Sequence, residues 1–174
     1  MRVPKRLIVD GYNLIHADPG LKALLEKDAE AARARLVEIL IEHCSRQDVE
    51  IELVFDAAGR DGPAATERPS KSLSVTYTAK GESADAYIER LSCGTRPPGS
   101  AAVVTGDYDQ QKVAGGAGML RISSREFAIE MRTSREEAAR EAEPASSSWK
   151  VSVRDRIPRD VLESLDELKR KSRK

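Results

Sequence analysis

The residues of this chain best suited to chemistry are acids that follow directly on short apolar runs. Asp10 closes Arg6-Leu7-Ile8-Val9, Asp56 follows Val49 to Phe55, and Asp107 follows Ala101 to Thr105 after Gly106. Carboxylates crowded together repel one another and raise each other's pKa values, so such a cluster is tolerated mainly where a divalent cation neutralises it. Oxygen ligands with no His or Cys nearby favour Mg²⁺ or Mn²⁺ over zinc. A metal held that way lowers the pKa of a bound water and stabilises the charge of an in-line attack on a phosphodiester. Hydrolysis of a nucleic-acid backbone is the matching reaction.

Each acid also has a structural reading. Asp107, with Gln110 three residues on, has the form of a helix N-cap, and Asp10 or Asp56 alone suits a strand-end turn. On the helical stretch from Glu82, the apolar positions Ala84, Ile88 and Leu91 leave Glu82 and Glu89 on a solvated face. Asp85 lies beside the border of that stripe, placed to reach a site. Asn13 can orient a carboxylate, contact phosphate or cap a helical turn, and Asp109 is either a further ligand or a first-turn helix acid. His16 and His43 are isolated and read as surface or core histidines. Tyr12, Tyr108 and Trp149 can stack on bases, but aromatics make up only 4% of the chain, too few for a broad stacking platform.

The elements that must position these groups alternate. Arg6 to Asp10 reads as a buried strand, Asp28 to Cys44 as a helix capped by Asp28, and Val49 to Phe55 as a second strand. Gly59 to Lys71, rich in Gly, Pro and small polar residues, reads as an exposed loop. Leu73 to Thr78 alternates as a half-buried or edge strand does, Glu82 to Cys93 is helical, and Ala101 to Thr105 is a buried strand. A short helix from Tyr108 to Ala114, a strand from Met119 to Ile122 and a helix from Ser124 follow, the last opened by the capping box Ser123-x-x-Glu126. Strands alternating with helices predict an α/β fold with a doubly wound, mainly parallel sheet flanked by helices. Three acids then share one rim, because ligands of such sheets sit beyond the carboxyl ends of the strands. Pro144 and the serines after it predict a linker, which divides a domain at 1–143 from a tail at 144–174 with a terminal helix at Arg159 to Lys171.

Length and composition agree with one such domain: 174 residues, 40% of them hydrophobic, suffice for a core. No apolar run reaches the length of a membrane span and no leader follows the basic start, so the expectation is a cytoplasmic protein without a membrane. Cys44 and Cys93 are far apart, which predicts buried free thiols and no disulfide or zinc site. Net charge is zero, yet the tail is basic: Lys150, Arg154, Arg156, Arg159 and the cluster from Lys169 outnumber its acids.

The segments Val9-Asp10-Gly11-Tyr12-Asn13-Leu14-Ile15, Val54-Phe55-Asp56-Ala57, Gly81 to Glu89 and Val104-Thr105-Gly106-Asp107-Tyr108-Asp109 together resemble the YacP-like NYN-domain family, which is PIN-like. The Asp-Gly-Tyr-Asn signature in that setting is specific, and the likeness runs from the first strand to the helix at Ser123. The resemblance implies an endoribonuclease acting on RNA, specifically mRNA, in association with the ribosome, with Mg²⁺ or Mn²⁺ as cofactor. It matches Asp10, Asp85 and Asp107 to the acidic active-site positions, with Asn13 and Asp56 beside them and Asp109 as a further candidate ligand. Tail cations Lys150, Arg154, Arg156 and Arg159 would hold the phosphate backbone, making binding salt-dependent. A non-catalytic RNA- or ribosome-binding module of the same fold is the alternative, and it predicts missing acids. An aspartyl-phosphate phosphatase needs a second acid two residues after the nucleophile, where this chain has Tyr12.

Overall fold

Three aspartates in succession cap three helices between the first two strands. The computed structural model describes residues 4–57, 61–94, 100–106 and 119–142. Strand β1 (Arg6–Asp10) leads into α1 (Gly11–Ala17), α2 (Pro19–Leu25) and α3 (Ala29–Gln47). The side chains of Asp10, Asp18 and Asp28 accept backbone N–H bonds from the first turns of these helices, satisfying donors that have no partner inside the helix. Pro19 suits the first turn of α2, where its missing N–H costs nothing. The strands β2 (Glu50–Phe55), β3 (Ala65–Ser70) and β4 (Leu73–Tyr77) follow, then α4 (Ala84–Gly94), β5 (Ala101–Thr105), β6 (Leu120–Ser123) and α5 (Ser124–Ala142). The expected capping box opens α5, with Glu126 N donating to Ser123 Oγ at 3.1 Å and Ser123 N to Glu126 Oε2 at 3.3 Å.

The six strands form one sheet in the order β3-β4-β2-β1-β5-β6, parallel throughout except for the antiparallel β3-β4 pair. Side chains alternate between two cores, as the two-residue period of a strand requires. Leu7, Val9, Leu53, Phe55, Ala102 and Val104 pack with residues of α1, α2, α3 and α5. Ile8, Val54, Ala101 and Val103 face Ala84 and Ile88 of α4 on the other side. The sheet therefore winds outward in both directions from β1, and the order reverses between β1 and β5. The crevice beyond the carboxyl ends of those two strands is where such sheets bind ligands.

Two expectations are corrected. The stretch expected as a loop at Gly59 to Lys71 contains β3, whose side chains are exposed except for the partly buried Ser70. It pairs by backbone hydrogen bonds and by Thr66 Oγ1 with Thr76 Oγ1 at 3.0 Å rather than by burying apolar surface, and its Glu67, Arg68 and Pro69 suit an edge that must not pair further. Cys44 is buried as expected, but Cys93 is exposed near the end of α4. The expected helix at Tyr108 to Ala114, the linker and the tail lie outside the described residues. Contact density divides the chain into two units, Met1–Arg135 and Glu136–Lys174, and of the second only the end of α5 is described. Among the described residues no helix is long and apolar enough to cross a membrane.

Candidate active site

Asp10 stands where β1 gives way to α1, at the reversal point of the sheet, and is only 5% exposed. Both of its carboxylate oxygens are held by one residue. Oδ1 accepts the backbone N–H of Asn13 at 2.9 Å and Oδ2 accepts the Asn13 side-chain amide at 2.8 Å. The same amide nitrogen lies 3.4 Å from Thr105 Oγ1 at the end of β5, so Asn13 ties the ends of β1 and β5 together. Gly106 makes that approach possible: a Cβ there would stand 3.1 Å from Asn13 Oδ1. Gly11 serves the other side, because a Cβ on it would fall 2.8 Å from Phe55 Cζ and closer still to two further ring carbons.

Burial pushes the Asp10 carboxyl above the usual carboxylate range. Hydrogen bonds from Asn13 and from the Tyr12 backbone pull the other way, and the negative charge of Asp56 adds to the rise. Asp56, exposed just past β2, is thus near enough to be felt electrostatically. Parallel pairing brings this about, since Asp10 is in register with Val54, two residues before Asp56.

The structure brings together Asp10, Asn13, Thr105, Gly106 and Asp56. Asp85 is exposed in the first turn of α4. Glu82 is paired with Arg90. Asp107 and Asp109 lie outside the described residues, as do Tyr108, Trp149, Lys150, Arg154, Arg156 and Arg159. Among the described residues no three His, Cys, Asp or Glu side chains gather closely enough to hold an ion. The third acid of the expected set, Asp107, follows directly on Gly106. The donors that are present suit a hard divalent cation: a buried carboxylate whose ionised form is penalised, with a second acid nearby. His43 is a core residue, edge-on to Phe127 at 5.2 Å between ring centroids, and His16 is exposed at the end of α1.

Three features around Asp10 and Tyr12 are additional to the residues singled out from sequence. Thr105 is one. A second is Phe55, on which Tyr12 packs edge-to-face at 5.3 Å and Tyr77 stacks at 5.7 Å. The third is Arg33, which donates to the Tyr12 hydroxyl at 3.0 Å. Helical spacing places Arg33 off the buried stripe of α3, but nothing local links it to Tyr12.

Comparison with known proteins follows the same lines. The YacP protein of Bacillus subtilis strain 168 is 31% identical over 165 residues, spanning 94% of this chain and 96% of that protein. A crystal structure of Rae1 (YacP) from Bacillus subtilis, in a variant with one tryptophan replaced by leucine, superposes with a TM-score of 0.69 at 30% identity over 87% of this chain and 89% of that one. A second Rae1 (YacP) structure gives 0.64 at 29% identity over 98% of this chain and 95% of that one. The family described as YacP-like NYN domain matches residues 7–170, so the chain belongs to that family, whose NYN domains are typically nucleases.

Proposed function

We propose that this protein is a hydrolytic endoribonuclease that cleaves RNA phosphodiester bonds with Mg²⁺ or Mn²⁺, acting in the cytoplasm on mRNA in association with the ribosome. The observation that carries the reading is the buried Asp10 carboxylate at the β1–β5 reversal point, gripped by Asn13 and standing in the field of Asp56. Asp10 and Asp56, joined by Asp85 and Asp107, with Asp109 as a further candidate, are the residues that would hold the ion. When bound, it supplies a water of lowered pKa and a positive charge for the pentavalent phosphate. Asn13 fixes the Asp10 carboxylate in one orientation and links it to the end of β5, which is the preorganisation such a site needs. Lys150, Arg154, Arg156 and Arg159 hold the RNA backbone.

The test incubates purified protein with a labelled structured RNA and, separately, with translating ribosomes, in Mg²⁺, Mn²⁺ or EDTA, alongside Asp10→Asn. Cleavage that requires metal and disappears in the variant supports the nuclease, and restriction to ribosomes supports translation-coupled action. Binding of RNA or ribosomes without cleavage by either protein would replace it with a binding module.

A further inference from the structure

A groove of about 610 Å³ runs from the candidate active site along α3 toward β3 and β4. Tyr12 and Asp56 belong to both: Tyr12 follows Asp10 and Gly11, and Asp56 perturbs Asp10 while lining the groove. The volume lies in the range of small-molecule sites. Two half-buried rings, Tyr12 and Tyr77, contribute to its walls, and both are packed on the fully buried Phe55. Val37 and Val75 add apolar surface.

The charges of the lining decide what fits. Among the described lining residues Glu30, Asp56 and Glu67 stand with the cation Arg33, while Glu38 is paired with Arg35 at 2.7 Å. That balance repels a phosphate backbone laid along the groove. Arg33 forms no ion pair among the described residues, and its bond to the Tyr12 hydroxyl holds one edge of the planar guanidinium. A neutral planar group with N–H donors suits these walls. Carboxylates accept from exocyclic amino groups, as in the pairing of Glu or Asp with cytosine N4, and aromatic and guanidinium planes stack on any base. Uracil presents two carbonyl acceptors and a single N–H, so it meets the carboxylates with lone pairs.

We propose that this groove is a subsite for one unpaired nucleobase bearing an exocyclic amino group, adenine, cytosine or guanine, next to the phosphate that is cut. The proposal rests on the endoribonuclease reading for its position and gives that enzyme a selection against uridine at one flanking nucleotide.

Two measurements separate the proposal from the reading beneath it. In the first, the isotope-labelled full chain is titrated with AMP, CMP, GMP and UMP and followed by amide NMR. Shifts at Tyr12, Ala34, Val37, Ala57 and Tyr77 with the first three nucleotides, weaker with UMP, are expected, and Glu30→Gln with Glu67→Gln should level the four. In the second, a random-sequence single-stranded RNA pool is cut and the ends are sequenced. Uridine should be depleted about 10-fold at one flanking position, the size of one good base contact, and the double variant should flatten that ratio while its thermal unfolding matches wild type. Groove shifts without any cutting would overturn the nuclease and leave the base site standing. Cutting with the same nucleotide ratios in wild type and variant, or shifts confined elsewhere, would overturn the base site and leave the nuclease.

Discussion

Replacing Gly11 by Ala tests how the Asp10 turn is built. The added methyl would lie 2.8 Å or less from three carbons of the Phe55 ring, which is fully buried and cannot swing into solvent. Alanine in place of glycine within a helix is worth up to about 1 kcal/mol in its favour. Overpacking of a rigid neighbour costs about 1–3 kcal/mol, and three short contacts place this case toward the upper end, for a net loss of about 1–2 kcal/mol. In a chain of this size that is a drop in Tm of about 2–8 °C. Phe55→Leu alone should also destabilise by removing ring volume from the core. Combined, the two changes should cost less than their sum by about 1 kcal/mol, because the smaller side chain makes room for the methyl. Urea unfolding of the four proteins at one pH measures the cycle. Additive losses, or a Gly11→Ala protein as stable as wild type, would refute the claim that glycine is there to admit Phe55. Cleavage by Gly11→Ala should fall further than its stability does, since a displacement of about 1 Å at a catalytic group costs on the order of 100-fold.

Asp10→Asn should abolish any metal-dependent thermal shift; for wild type, an ion at ten times its Kd gives about 1.4 kcal/mol. Because the folded carboxyl is raised, its contribution to stability is full below the unfolded value near 3.8 and is lost as pH rises through the folded value. Wild type minus variant, measured in EDTA from pH 4 to 8, should therefore fall with pH, and a flat difference would count against a penalised charge. His43 has the opposite sign: burial and Arg46 lower its pKa, so its contribution is present above the unfolded value near 6.5 and lost as pH falls through the folded one. His43→Leu should unfold within about 1 kcal/mol of wild type at pH 8, since its Nδ1 has no partner among the described residues, and should be the more stable protein near pH 5. In native protein a thiol reagent at pH 8 should modify exposed Cys93 and leave Cys44, whose buried thiol is pushed up to about 11, until denaturant is added.

Strands β1, β2, β4 and β5 and helices α3, α4 and α5 were readable because burial writes a period into the sequence. Features that owe little to burial were not. β3 is exposed along nearly its whole length and carries a proline, so it looks like a loop until β4 is there to pair with it. The seven-residue helices α1 and α2 open on Gly11 and on Pro19-Gly20, residue types common in turns, and of the three capping aspartates Asp10, Asp18 and Asp28 only Asp28 was read as a cap. The nearness of Asp10 to Asp56 follows from parallel register and was legible once both were assigned to strand ends. The Tyr12–Arg33 bond was not, since it depends on how α1 folds back against α3.

Asp10 also shows why the bland reading of a strand-end acid falls short here. It does cap α1, and capping explains its bond to the Asn13 backbone. Yet asparagine, serine and threonine cap helices about as well as aspartate, so the cap requires an oxygen and no charge. The charge brings a cost: at 5% exposure the ionised carboxylate loses hydration that the Asn13 and Tyr12 donors only partly offset, and Asp56 adds a smaller repulsion. A neutral residue would give the same helix more cheaply. The surplus negative charge is therefore what needs explaining, and the proposed divalent cation would explain it, with Asp10 and Asp56 among its ligands.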